Sequence, residues 1–404
     1  MHRNYSRRSF LGTAAAGFAL TGFAPRAWSL QEESAAELVM GKDQRLLVLK
    51  KYPPVLETPL KLLLEDRVTP GSLLFVRNNS QPDNAATLLP SREASWSVRL
   101  AGDISRQVSI SLQQLQEMPS TEYEMVLQCS GNGRSLFSKA AQTSGTQWGR
   151  GGMGNVRFSG VRLNAVLDKL GIDVGDGVEF INASGADDPL EGKEDFLHSL
   201  PAAEVLNRSI LATDMNGEPL PAIHGGPVRL ITPGVFGTMQ MKWLSELRFV
   251  SEESTNYNHA TRYRVPKQTI KPGAEYEFSL QNSDYNWHLK TKSVILTPND
   301  GDEVRAGKNS IEGVAFNDGQ AAISSVVVST DKGRTWTQAE LSRSDSPYGW
   351  TRFVANVSLK AGRQSIWCRA VDELGRSQPA DGSIAWNQRG YEWNGIEKID
   401  VTVG

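Results

Sequence analysis

Seven short β-like runs follow one another near the C-terminus, and their spacing leaves few folds open. They cover residues 293–297, 309–316, 324–329, 336–341, 350–357, 362–371 and 397–403. Turn signals such as Asn299-Asp300-Gly301, Asn317-Asp318-Gly319 and Asp331-Lys332-Gly333 separate them. Seven strands at roughly 8 to 12 residue spacing predict an immunoglobulin-like β-sandwich, assigned to 286–404. A chain of 404 residues is too long for that domain alone. At roughly 100 to 200 residues per domain there is room for one or two more. With 39% hydrophobic and 22% charged residues the whole is globular in character, which excludes a disordered or collagen-like chain.

Upstream the pattern changes. Residues 71–265 alternate short apolar runs with Gly-rich turns. Positions 95–100 alternate as a strand, 111–117 and 162–170 carry helical spacing, and 178–181 and 228–232 read as buried strands. Mixed short strands and helices with long loops predict an α+β domain. The polar stretch 266–285, without firm periodicity, is the candidate linker. Residues 30–70 read as a polar arm with an amphipathic section at 59–65 and no strong strand.

Residues 1–29 have the order of an export signal: a basic start, an apolar run from Phe10 to Phe23, then Ala27-Trp28-Ser29 as a cleavage site. Ser6-Arg7-Arg8-Ser9-Phe10-Leu11 fits the twin-arginine form. That route carries proteins already folded, commonly around an inserted cofactor, so a cofactor and a periplasmic destination are expected. No later stretch reaches the roughly 18 apolar residues of a membrane span. The formal charge is −2, and without the four arginines of the leader 39 basic residues face 45 acidic ones. That balance disfavours a nucleic-acid or anionic-membrane binder.

Chemistry-bearing residues collect in two places. In Leu127-Gln128-Cys129-Ser130-Gly131-Asn132-Gly133-Arg134, glycines allow close approach and Arg134 can hold a thiolate or anion nearby. Cys129 reads equally as a soft metal ligand or nucleophile and as a structural thiol. Cys368, inside a sandwich strand, reads as core, and a disulfide between the two is discounted. The second cluster runs from His224-Gly225-Gly226 through Arg229 to Phe236-Gly237 and Lys242-Trp243. Its exposed backbone N–H groups and cationic side chains suit a phosphate or polar heterocycle. Neither a P-loop nor a dinucleotide fingerprint is present, and zinc-hydrolase, haem-attachment and serine-hydrolase motifs are missing as well. Asp187-Asp188, between Gly185 and Pro189, reads as a solvated turn.

Taken in order, these segments resemble the sulfite oxidase family of molybdopterin enzymes from about Gly71 to the C-terminus. The motifs are Phe75-Val76-Arg77-Asn78-Asn79, Cys129 to Arg134, Trp148-Gly149, Gly160-Val161-Arg162-Leu163, Met215 to Pro221, His224 to Gly237 and Lys242-Trp243-Leu244. Ser329 to Trp336 and Ala385-Trp386-Asn387-Gln388-Arg389-Gly390 continue them in the sandwich. The resemblance implies a mixed α/β molybdopterin-binding domain followed by a sandwich that dimerises. It makes Cys129 the molybdenum ligand, with Phe75, Asn78, Asn79, His224, Arg229 and Lys242 holding the cofactor. Arg77, Arg134, Trp148, Tyr263 and Arg389 become the substrate residues, with Tyr257 as the alternative tyrosine. Implied is oxidation of sulfite to sulfate, one molybdenum-molybdopterin per chain, no haem, and a c-type cytochrome as electron acceptor. Reduction of nitrate or an S-oxide, and a non-catalytic molybdopterin-binding protein, are the alternatives. Two departures stand out: Asn79 replaces a histidine common in the family, and Gly133 stands where many members carry an arginine.

Overall fold

A computed structural model describes residues 33–82, 85–91 and 94–404, so the export signal expected over 1–29 lies outside the described residues. Within Ser34–Gly404, which form one compact unit, the catalytic part is built on two five-stranded sheets. In the first, Thr121–Gln128 pairs antiparallel with Met153–Arg162, which pairs with Ile210–Met215. Residues Met125 to Gln128 are all buried, so this strand is covered on both faces and does not alternate. In the second, Ser97–Gly102 runs parallel to Leu244–Val250, which is antiparallel to Phe180–Gly185. The helices Leu112–Gln116 and Leu163–Leu170 stand where the spacing predicts them, and Ser111 closes a capping box on the first.

Residues 30–70 are not the strandless arm expected. Ser34 caps a short helix, Ala35–Leu38, and Leu47–Lys50 and Val55–Glu57 form a sheet with Val76–Arg77. Val55 lies opposite Arg77 and Leu56 opposite Val76. What stabilises these strands is non-local: Ala35, Val39, Leu46, Leu56, Val76 and Ile223 share one apolar cluster drawn from distant parts of the chain. At roughly 1.5–3 kcal/mol per fully buried large aliphatic side chain, such a cluster outweighs a weak local pattern. The amphipathic section is a 3-10 turn, Leu60–Leu64, whose Leu60 and Leu63 pack with Val126, Phe236, Val294 and Trp350. This one apolar cluster therefore joins the arm, the preceding mixed domain and the sandwich. The expected linker also departs: Arg264–Pro266 pairs with Ser283–Tyr285, held by buried Arg264 donating to Ser283 Oγ at 2.8 Å.

Beyond it the sandwich has the expected strands. Lys292–Thr297, Gly307–Phe316, Thr351–Leu359 and Glu340–Ser342 make one sheet, and Glu303–Val304, Glu397–Val403, Gly362–Asp372, Ile323–Ser329 and Thr337–Gln338 the other. The run read as one strand over 336–341 is split between both sheets. Its buried Ala339 donates to Val326 O at the crossover. Inward residues alternate along Thr351–Leu359 and Gly362–Asp372, and Cys368 is fully buried among them. Both cysteines are free.

Candidate active site

Cys129 follows the end of Thr121–Gln128, where the chain leaves the sheet and turns. Its N–H donates to Gly152 O at 2.9 Å and its carbonyl accepts from Asn132 N at 3.0 Å, which fixes the loop on both sides. Gly133 then takes φ 92° as the N-cap of the Arg134–Phe137 turn. A Cβ there would lie 2.8 Å from the Trp393 side chain, so left-handed backbone and Trp393 together account for the missing arginine. Arg134 is folded back over its own loop; a Cβ on Gly131 would sit 2.6 Å from its NH2. Its Nε donates to Arg389 O at 2.8 Å and its NH1 to Thr146 O at 2.7 Å.

Val76–Arg77, braced by the N-terminal sheet, brings Phe75, Arg77, Asn78 and Asn79 to the opposite wall. Asn79 Oδ1 accepts from Arg77 NH2 at 2.6 Å and from the Tyr263 hydroxyl at 3.0 Å. One amide oxygen thus ties arginine to tyrosine, a bridge that cannot titrate and that occupies the place of the family's histidine. Phe75 meets Trp148 edge to face at 5.9 Å. The floor comes from Ala222–His224, Arg229–Ile231 and the segment leading to Lys242. Lys242 Nζ donates to Asn78 Oδ1 at 2.6 Å and Ile223 O at 2.8 Å, and Arg229 NH1 to His224 O at 3.0 Å.

Eleven of the twelve sequence-expected site residues, namely Phe75, Arg77, Asn78, Asn79, Cys129, Arg134, Trp148, His224, Arg229, Lys242 and Tyr263, line one pocket. Arg389 does not; it lines an adjoining outer cavity that shares Arg77, Asn79 and Arg134. Its guanidinium carbon lies 5.5 Å from the Phe278 ring centroid. Tyr257 is 42% exposed on that outer cavity, whereas Tyr263 is buried in the inner pocket.

Several lining residues escaped the sequence reading, among them Gln240, Asp187 and Tyr391. Asp187 is not a solvated turn: it is buried, accepts from Ser80 Oγ, and burial pushes its carboxyl above the usual range. Its Gly and Pro neighbours mark a turn, but nothing local says the turn folds inward over Lys242. Tyr391, contributed by the sandwich, stacks on Tyr263 at 5.4 Å and 17°, with the Arg134 guanidinium 5.1 Å from its ring centre. Its place just after the Arg389-Gly390 motif was the available signal.

The pocket gathers several cationic side chains. Burial drives Lys242 and His224 well below their ordinary values, with neighbouring cations adding to it, and lowers Arg229 to about 9. Their hydrogen-bond partners above are carbonyl and amide oxygens, and Asp187 is the carboxyl that acts on Lys242 from within the pocket, so cations outnumber acids there. Trp148 Nε1 and Gln240 Oε1 are buried without a partner. Buried charge and orphaned polar atoms around a void call for a polyanionic ligand that also carries hydrogen-bonding groups.

Residues 86–258 match the family described as oxidoreductase molybdopterin binding domain, and 283–403 the Mo-co oxidoreductase dimerisation domain. The chain is 33% identical over 359 residues to the mitochondrial sulfite oxidase of Mus musculus, covering 86% of this chain and 64% of that one. It is 31% identical over 358 residues to the sulfite oxidase of Gallus gallus, covering 85% and 75%. The chain thus spans a little under two thirds of the length of the mitochondrial relative. Its fold matches the sulfane dehydrogenase SoxCD of Paracoccus pantotrophus, with a TM-score of 0.73 at 24% identity over 96% of each chain.

Proposed function

The chain belongs to the sulfite oxidase family of molybdopterin oxidoreductases, and from that premise we propose that it oxidises sulfite to sulfate in the periplasm and passes the electrons to an external c-type cytochrome. Its cofactor is molybdenum-molybdopterin, and the residues present fit that group. Cys129 offers the soft thiolate for the metal. Arg229 and Lys242 offer positive charge for the dithiolene and phosphate, and neutral His224 offers a ring nitrogen for hydrogen bonding. Asp187 and the unpartnered Gln240 Oε1 offer acceptors for the amino groups of the heterocycle. When bound, the cofactor supplies two-electron oxygen-atom transfer, which no side chain here can perform.

The rest of the work falls to the side chains. Arg77 and Arg134 hold the oxygens of a small divalent anion and leave its sulfur lone pair free to face the cofactor. Asn79 keeps the Arg77 fork and the Tyr263 hydroxyl in fixed relation, so the anion meets a preorganised set of donors. Trp148 and Phe75 exclude water from the same space. The observation that carries the reading is the convergence of Cys129, Arg77, Arg134 and Tyr263 in one cationic pocket. The dimerisation-domain match supports a homodimer. Among the described residues no helix is long and apolar enough to cross a membrane.

Purified protein is expected to contain about one molybdenum per chain, as one Cys129 ligand site implies, and to reduce cytochrome c or ferricyanide when given sulfite. Metal-replete protein inert to sulfite but oxidising a reduced dye with nitrate or a sulfoxide would reverse the assignment.

The pH dependence should originate at Tyr263. Burial raises its phenol, but Arg77 and Arg262 outweigh burial and leave it below the ordinary value. Ionisation would place a negative charge inside the anion pocket. The KM for sulfite is therefore expected to climb with pH before the ordinary tyrosine value of about 10 is reached. Tyr263→Phe should remove that climb in a KM profile, and an alkaline rise that survives the substitution belongs to another group.

A further inference from the structure

Lys42 comes from the N-terminal arm, outside both family matches, yet its ammonium is buried beneath the cofactor site. Its Nζ lies 2.5 Å from Gly71 O, 2.6 Å from Leu74 O and 2.9 Å from His224 Nε2. Three acceptors use all three hydrogens of an ammonium. With Nε2 accepting, the proton of neutral His224 is placed on Nδ1, so Lys42 sets both the ring orientation and the tautomer of a pocket residue.

Charge makes this contact conditional. Lys42 joins Arg229 and Lys242 in a buried group of like sign around neutral His224; beyond the effect of burial, its repulsion further lowers Lys242 and disfavours protonation of His224. Burial lowers Lys42 itself. An empty pocket opposes insertion of this lysine, and a polyanion in the pocket favours it. The backbone around it belongs to the arm: Val39 N donates to Ala35 O, Met40 N to Ala86 O and Lys42 N to Val39 O.

We propose that Lys42 is a positioning residue of the cofactor site, acting through His224, and that it couples docking of the N-terminal arm to occupancy by the anionic cofactor. The inference rests on the molybdopterin assignment and is independent of sulfite being the substrate. Reciprocity follows: whatever the cofactor contributes to arm docking, the docked arm contributes to cofactor retention.

Amide hydrogen exchange on the full chain, loaded or produced without cofactor, reads the coupling directly. Amides of Val39, Met40 and Lys42 are expected to exchange about tenfold or more slowly in the loaded protein, with strands Gly362–Asp372 and Glu397–Val403 unchanged. In Lys42→Met that difference should collapse, and molybdenum retained after dialysis should fall about tenfold, the scale of lost outer-shell partners. Lys42→Arg, which keeps the cation, should recover part of the retention. Equal arm exchange in loaded and empty wild type would overturn the proposal, as would wild-type retention in Lys42→Met. Loss of protection in the sandwich strands as well would mark a global effect and equally refute it. Molybdenum content of the wild type separately reports on the cofactor assignment.

Discussion

Cys129→Ser is expected to abolish turnover, by at least about 100-fold, since loss of outer-shell partners alone costs roughly 10 to 100-fold and this is a direct ligand. The reason is softness: an alcohol is far less acidic than a thiol and its alkoxide is a harder donor than a thiolate, so serine cannot offer the metal an equivalent ligand. The fold should survive. The position is held by backbone bonds to Gly152 and Asn132, which serine keeps, and the side chain contributes one small contact to a cluster that includes Phe75, Leu127 and Trp148. Metal content, kcat and a thermal unfolding curve measured together separate the outcomes. Near-normal turnover in a folded variant would remove Cys129 from the chemistry.

For Arg77→Met the expected signature is different: a KM for sulfite raised roughly 10 to 100-fold, from losing one charge-assisted contact of about 1.5–3 kcal/mol, with a smaller effect on kcat. Arg77 is the cleaner of the two arginines for this test. It is partly exposed toward the outer cavity and its partners, Asn79 and Tyr263, remain bonded to each other without it. Arg134→Met would also strand the carbonyls of Arg389 and Thr146 and take the guanidinium off Tyr391, so it should lower stability as well as affinity. Arg77→Lys should recover only part of the loss, because an ammonium restores charge without the planar fork. An unchanged KM in Arg77→Met would place the substrate elsewhere.

How much of this was readable from residues depends on how local its cause is. The sandwich strands announce themselves because inward and outward faces alternate within each run, as along Thr351–Leu359. The run at 336–341 misleads because alternation cannot say that buried Ala339 is a crossing point between sheets. The arm was misread because its strands are stabilised by Val76 and Ile223, residues that no local window contains. Within the site, Cys129, His224 and Arg229 sit among glycines and were visible for that reason. Asp187, Tyr391 and Lys42 were not: each is an ordinary residue in its own neighbourhood, brought to the site by what packs on it from afar.

The loop closing the sandwich carries a consequence in time. Glu392 N–H donates to Ser130 O, Trp393 packs against Gly133 and Phe137, and Tyr391 stacks on Tyr263. The walls around Cys129 therefore include residues made some 260 positions after it. During synthesis the pocket can have no finished shape until that loop has emerged and docked. On the function proposed above, the cofactor would be held only once Tyr391 and its neighbours have been made and have docked.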